Sequence, residues 1–402
     1  MATNTIGHTQ NELKDNFSEK QLTEKEKFIS DFGKNKVKKT IDLNLVYRWN
    51  DIGLFVGRKE EIAELKSKIS RQKKVIINGI RGIGKTGLVQ AYLFYYSDLY
   101  DHIIWITVCG DIKESFIKAI HEIKAFKESG YSTSSDKNML LNNSLHFLSQ
   151  FNGNNLIIFD NVARDEQISE INSLFNRIRN WTWKSIFTTY SNISRPKPIE
   201  LNKLKPADAF NAFKSYYLEE TTPEEAEKIE SLFSREEKQI KAMLHKIKYH
   251  TLLIELLAKV DIEDEAMTLQ NLFEIVKETS SIKSPRLNIP VQPNIINDMA
   301  INISPEELTP YKYIRAIFEK DLENLNPEQI KVLQFFASLP SKPVLLKDLT
   351  KKIKLNKDDL ACIMNSLKGW IKFDEITKSY SMEELYQFAV RELLINYNGP
   401  RN

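Results

Sequence analysis

A chain of 402 residues, 42% hydrophobic and 28% charged, has an ordinary globular composition and is too long for one core, so two to four domains are expected. Its 57 basic and 54 acidic residues leave a formal net charge of +3, which excludes a strong overall field toward nucleic acid or anionic membrane. No uncharged apolar run approaches the roughly 18 residues of a membrane span, and the N-terminal stretch lacks the apolar segment of an export signal, so a cytoplasmic protein with no membrane partner is expected. The two cysteines, Cys109 and Cys362, each stand in an apolar setting expected of a buried thiol, which fits a reducing compartment.

Residues 1–45 read as a polar N-terminal tail or docking segment, with lysines at 34, 36, 38 and 39 and a weak helical pattern around Leu22, Phe28 and Ile29. Residues 46–200 alternate short β-rich apolar runs with longer amphipathic stretches. The runs Lys74–Asn78, His102–Val108, Asn155–Phe159 and Ser185–Thr189 are almost continuously apolar, as strands covered on both faces are, which predicts an α/β domain with a parallel sheet flanked by helices. From 201 to 284 only helical periodicity remains, in Asp208–Phe213, in the stretch after Thr222 and in Leu252–Lys259, predicting an all-α domain. Five prolines (Pro285, Pro290, Pro293, Pro305 and Pro310) among polar residues mark 285–310 as a linker. In 311–402, Asn326, Pro327 and Gln329 form a helix start with a capping box. Helices near 327–338, 345–353 and 357–368, then strand-like pieces at 370–373 and 379–382, predict a winged-helix domain.

Gly79-Ile80-Arg81-Gly82-Ile83-Gly84-Lys85-Thr86 fits G-x-x-x-x-G-K-[ST] in full and lies between a predicted strand and a predicted helix, the context a P-loop requires. Its glycines let successive backbone N–H groups face a phosphate, and the following helix adds positive potential there. The cradle runs from Gly79 through Arg81, Gly82, Ile83 and Gly84 to Gly87. Lys85 reaches the phosphate oxygens and Thr86 ligates Mg²⁺. The apolar strand Asn155–Phe159 ends at Asp160, the carboxylate expected to hold the Mg²⁺ shell, so Lys85 and Asp160 are the candidate catalytic groups, and Thr86 and Asp160 the candidate metal ligands. The one look-alike of a guanine-reading motif, Asn356-Lys357-Asp358-Asp359, reads better as a helix start, which favours ATP or ADP.

The order of motifs from about 54 to 395 resembles the NB-ARC class of STAND nucleotide switches in their prokaryotic, NLR-like form. Phe55-Val56-Gly57-Arg58-Lys59-Glu60-Glu61 looks like the motif that opens the family's core, and the resemblance places the backbone around Val56, Gly57 and Arg58 against adenine. Lys184–Tyr190 is similar to the strand ending in the first sensor motif, and Pro206–Phe210 to the helix opening the first helical subdomain. His250–Leu257 resembles the G-L-P-L region that closes over adenine, which assigns Leu252 to the nucleotide site. Leu367–Trp370 with Tyr380–Glu384 looks like the winged-helix segment ending at the M-H-D motif.

The resemblance implies an ATP/ADP switch whose domains rearrange, which forms a homo-oligomer when active, and which signals to effector and sensor partners in trans, with bacterial antiphage defence as the expected setting. Four family contacts are altered. Asn161 replaces a second acid and cannot accept a proton from water, and Tyr190 replaces the sensor arginine. Thr251 replaces the G-L-P-L proline and Glu383 the M-H-D histidine. Slow ATP hydrolysis follows as an expectation, with Arg81 or Arg195 as possible sources of the missing positive charge. At position 383 a carboxylate must be protonated, turned away or paired with a cation to tolerate a diphosphate.

Two other classes are open. A transcription regulator would put the winged helix on DNA, but its recognition helix at 357–368 opens with Asp358 and Asp359, so nucleic acid is not an expected partner. A motor of the AAA+ type needs an acidic base where Asn161 stands. The histidines lack metal-ligand spacing, and Trp105, Trp181, Trp183 and Trp370 read as core fillers.

Overall fold

Alternation along the central strands decides how the N-terminal half folds. The structure is a computed structural model that describes residues 41–42, 55–131, 136–191, 196–218, 223–263, 269–281, 307–322, 324–339, 343–353, 357–367, 369–374 and 379–395. The helical pattern at Leu22–Ile29, the lysine cluster at 34–39, Arg195 and the linker up to residue 306 lie outside the described residues. The four predicted runs are strands β2 (Lys74–Asn78), β3 (His102–Thr107), β4 (Asn155–Val162) and β5 (Trp183–Thr189). Two further strands, β1 (Ile41–Asp42) and β6 (Ile199–Glu200), complete the order β1-β3-β4-β5-β2-β6, in which every pairing is parallel. β1 therefore falls inside the stretch expected to be a tail.

Odd and even positions of these strands feed two separate cores. Ile104, Ile106, Ile157, Phe159 and Phe187 pack under α3 (Ile112–Glu122), α5 (Lys137–Ser149) and α6 (Asp165–Asn176), beside the short α4 (Lys124–Glu128). Val75, Ile77, Ile103, Trp105, Leu156, Ile158 and Ile186 point to the other face, under α1 (Lys59–Arg71) and α2 (Lys85–Tyr96). Both faces are dry, which is why these runs lack a polar face. β5 lies between the P-loop strand β2 and β4, and Thr188 on β5 thereby comes within reach of Asp160.

Beyond Leu204 the chain is helical, through α7 (Pro206–Tyr217), α8 (Pro223–Lys246), α9 (Thr251–Glu263), α10 (Leu269–Ser281), α11 (Leu308–Asp321), α12 (Pro327–Ser338), α13 (Leu346–Ile353), α14 (Lys357–Ser366) and α15 (Glu384–Ile395). A small antiparallel sheet, β7 (Val344–Leu345), β9 (Ser379–Ser381) and β8 (Lys372–Asp374), joins the last group in the order β7-β9-β8. One hydrophobic cluster runs from Leu204 to Leu394 and includes Phe213, Leu256, Phe318, Phe336, Trp370 and Tyr386. The predicted capping box is formed, with Asn326 Oδ1 accepting the N–H of Glu328 at 3.0 Å and of Gln329 at 2.9 Å, and Gln329 Oε1 accepting the Asn326 N–H at 2.8 Å.

Three expectations change. Pro310, read as linker, lies in the first turn of α11, where its missing N–H would have no partner in the helix. β7 was not predicted. Cys362 is exposed and Cys109 only partly covered, so neither is a buried thiol. Trp105, Trp181, Trp183 and Trp370 are core residues as expected, each under one-tenth exposed. Among the described residues no helix is long and apolar enough to cross a membrane, and no cluster of His, Cys, Asp or Glu could by itself hold a metal ion.

Candidate functional site

The loop between β2 and α2 holds its shape because nearly every carbonyl has a partner behind it. Lys85 Nζ donates to the carbonyls of Gly79 at 2.8 Å and Ile80 at 2.9 Å. His250 Nε2 meets the Arg81 carbonyl at 3.0 Å, the Leu252 N–H donates to Gly82 at 2.9 Å, and Ile83 accepts from Thr251 Oγ1 at 3.0 Å and Arg58 Nη2 at 3.2 Å. With the carbonyls fixed there, the first-turn N–H groups of α2, which have no acceptor inside the helix, stand at the mouth of the loop with its positive dipole end. Gly82 and Gly84 take φ of 71° and 100°, the left-handed region. A Cβ on Gly82 would lie 2.7 Å from Leu252 Cβ. Gly82→Ala is therefore expected to cost about 1–3 kcal/mol of unfolding free energy in a denaturant titration, and an unchanged midpoint would mean that the loop does not seat on Leu252.

Thr86 and Asp160 meet across the sheet. Thr86 Oγ1 donates to Asp160 Oδ1 and Oδ2 at 3.0 and 3.1 Å, and Thr188 Oγ1 donates to Oδ1 at 2.5 Å. The Asn161 N–H in turn donates to Thr188 Oγ1 at 2.8 Å, and Asn161 itself adopts a φ of 67° at an irregularity in the β4–β5 pairing. Burial pulls the Lys85 ammonium down to about 8, against the attraction of Asp160 and Glu307. Burial also pushes the Asp160 carboxyl up, opposed by hydrogen bonds from Thr188 and Thr86 and by the charge of Lys85. A polyanion beside Lys85 and a divalent cation beside Asp160 would each reverse the shift. Two hard oxygen donors on facing elements suit Mg²⁺, which takes few protein ligands and completes its shell with water and phosphate.

The opening motif sits where the loop meets the helical region. Val56 packs against the helical core, Arg58 begins α1 with a φ of 60° and pairs with Glu61 at 3.1 Å, and a Cβ on Gly57 would lie 2.7 Å from Asp208 Oδ2 on α7. Gly87 lies beside the Phe55 ring, 3.6 Å from where its Cβ would be. Arg58 and Leu252, far apart in sequence, thus both meet the loop, through the carbonyls of Ile83 and Gly82, whereas Val56 packs on the helical core and Gly57 lies beside Asp208.

The altered positions find new partners. Tyr190 lies under Arg81, whose guanidinium carbon is 3.6 Å from the ring centroid. Arg81 does not stand free to replace the sensor arginine, because its Nη1 binds Glu307 Oε2 at 2.9 Å and its Nε binds Glu384 Oε2 at 2.7 Å. Glu383 is paired with a cation, Lys372, at 3.2 Å; Lys372 also binds Glu255 at 2.9 Å, and Glu255 binds Lys259 at 3.3 Å. Glu307 and Glu384 were not among the predicted site residues. Glu307 follows a proline-rich polar stretch with no periodicity to single it out, and Glu384 reads as an ordinary acid in a helix's first turn.

The family model of the NB-ARC domain matches residues 58–222. No curated protein matches the chain. Among solved structures, a Signal Transduction ATPase with Numerous Domains protein with a tetratricopeptide repeat sensor from Pyrococcus horikoshii is similar at 18% identity and a TM-score of 0.45, over 87% of this chain and 44% of that one. The chain thus spans less than half the length of that relative. A Walker-type ATPase of Pyrococcus abyssi is similar at 13% identity and a TM-score of 0.39, over 86% of this chain and 99% of that one. The Orc1 protein of Aeropyrum pernix, in complex with DNA, is similar at 12% identity and a TM-score of 0.34, over 88% and 95%.

Proposed function

We propose that this chain, a P-loop NTPase of the NB-ARC/STAND class, is an ATP/ADP-controlled switch in which phosphate at the loop biases the arrangement of the helical region. One observation carries this reading. The loop is held from behind by His250, Thr251 and Leu252 and from the side by Glu307 and Glu384, so the loop that would receive a phosphate also anchors α9, α11 and α15. A ligand with different contacts in two arrangements of those helices shifts their balance by that difference.

In this reading Lys85, the first-turn N–H groups of α2 and the glycine turns at Gly79, Gly82 and Gly84 receive the phosphates, Val56, Gly57, Arg58 and Leu252 border the base, and Thr86 and Asp160 hold Mg²⁺, which neutralises phosphate charge. Asn161 offers no base for water and Tyr190 brings no positive charge, so hydrolysis is slow and serves the switch. The parts are a nucleotide-binding domain at 46–200, a helical domain at 201–284, a linker leading into α11 and a winged-helix domain of α12–α14 with the β7-β9-β8 sheet. The active form is a homo-oligomer that engages effector and sensor proteins, in bacterial antiphage defence.

Lys85→Ala is the direct test. Removing the ammonium should weaken Mg–ADP and Mg–ATP binding by about a hundredfold or more, since a charge-assisted contact in a buried site contributes about 1.5–3 kcal/mol and Lys85 makes more than one. Calorimetric titration measures the affinity, and light scattering with ADP and with ATP measures assembly. Equal affinity in both proteins, or a mass indifferent to nucleotide, would sink the switch.

A further inference from the structure

The chain supplies an anion of its own to the phosphate loop. Glu307, the residue before α11, is 1% exposed, and both its carboxylate oxygens meet Arg81. Oε1 accepts the Arg81 backbone N–H at 2.8 Å, and Oε2 binds Arg81 Nη1 at 2.9 Å. A main-chain N–H of a P-loop and a guanidinium fork are what such a loop would offer to a phosphate oxygen, and here a carboxylate takes them. A carboxylate this buried is tolerable only while paired. Two anions cannot share the same donors at hydrogen-bond distance without strong repulsion.

We propose that Glu307 competes with nucleotide phosphate for Arg81, so that filling the loop and releasing the start of α11 are a single event. This rests on the nucleotide-binding reading above and specifies how that site is regulated. The release has a path. Arg81 holds the beginnings of two neighbouring helices, α11 through Glu307 and α15 through Glu384. Those helices are tied further along by the hydrogen bond of Tyr311 to Glu392 and the ion pair of Arg315 with Glu392 at 3.2 Å. A phosphate that takes Arg81 from Glu307 thus loosens one helix of a pair while Glu384 keeps hold of the other.

The experiment compares wild type, Glu307→Asp and Glu307→Gln in calorimetric titrations with Mg–ADP and a non-hydrolysable Mg–ATP analogue. Aspartate keeps the charge but is one methylene too short to span both contacts, and glutamine keeps the length but loses the charge. Both should bind nucleotide about tenfold tighter or more, the release of one charge-assisted contact. In wild type, hydrogen exchange should show the Tyr311 amide, which donates to the Glu307 carbonyl at 3.0 Å, losing protection when nucleotide binds. A gain in Glu307→Gln alone would mean that the field of the charge acts at a distance, and would overturn competition. Equal affinity in all three proteins, or unchanged Tyr311 protection with nucleotide bound, overturns it as well and leaves the nucleotide site standing. Failure of all three to bind nucleotide removes both readings.

Discussion

Arg81→Ala is expected to lower the free energy of unfolding by about 3–5 kcal/mol, the cost of breaking a buried ion pair from one side. The guanidinium is shared between Glu307, whose side chain is 2% exposed, and Glu384, and it rests on the Tyr190 ring. Truncation takes the guanidinium away from the buried Glu307 carboxylate while the Arg81 backbone N–H stays 2.8 Å from it. Arg81→Lys should recover only part of the loss, because an ammonium cannot serve two carboxylates in a planar fork and stack on a ring as well. The measurement is a urea titration of Arg81→Ala, Glu307→Gln and the double variant. If the unpaired charge is the cause, the double variant should be more stable than the sum of the single effects predicts, by about 1–3 kcal/mol. Additive losses would mean that Arg81 acts through packing alone.

This cluster also marks where sequence stops being informative. The P-loop could be read because its chemistry is local: eight consecutive residues carry the turn, the cradle and the lysine, between a strand and a helix that their own patterns declare. The four central strands could be read because burial on both faces leaves no polar side chain to interrupt them. Asn326 with Gln329 was legible for the same reason, since a capping box closes within one turn. Arg81, by contrast, meets partners 226 and 303 residues away, and nothing about Glu307 or Glu384 separates them from other surface acids until the chain is folded. The two-residue strands β1 and β6 are too short to carry a pattern, and exist because the edges of a parallel sheet accept any backbone that reaches them.

Two misreadings have simple geometry. Around Cys362 the residues are apolar, yet Leu360, Ile363 and Met364 form the buried stripe of α14 by three- and four-residue spacing, and Cys362 falls off it. Composition suggested burial where periodicity should have decided. Pro310 looked like a breaker, but a helix's first turn has no use for the N–H that proline lacks. At Glu383 the sequence left three outcomes open, and the fold selects the cation: Lys372 reaches it from β8 while also meeting Glu255. The charges of Glu255 and Glu383 hold Lys372 well above its ordinary value despite burial, and Lys372 with Lys259 holds Glu255 below its own. Glu383 is thus part of an internal salt network with Lys372, Glu255 and Lys259.

His250 gives the second large effect, and it concerns pH. Its Nε2 lies 3.0 Å from the Arg81 carbonyl, which can only accept, so that nitrogen carries the proton. Nδ1 is buried with no partner, so a second proton would place an unpaired cation behind the loop. Burial, with smaller contributions from Lys203 and Lys85, accordingly pulls the imidazole from 6.5 down to about 4. The sign is opposite to that of a histidine gaining a carboxylate partner. Between about pH 6.5 and 4 the unfolded chain binds a proton that the folded chain refuses, so His250 costs nothing above that window and progressively destabilises the fold within it. The loss should reach about 2–4 kcal/mol at the acid end. Glu255, held low, pushes stability the same way as pH falls, and Asp160, held high, pushes against it. Both are unchanged in His250→Gln, whose amide can still donate to the Arg81 carbonyl but cannot titrate. The difference in unfolding free energy between wild type and His250→Gln, measured from pH 7 to pH 4, therefore isolates the imidazole. It should move by those few kcal/mol in favour of the variant as pH falls; a flat difference would mean that His250 takes up its proton inside the fold, and that the contact behind the P-loop opens before the protein does.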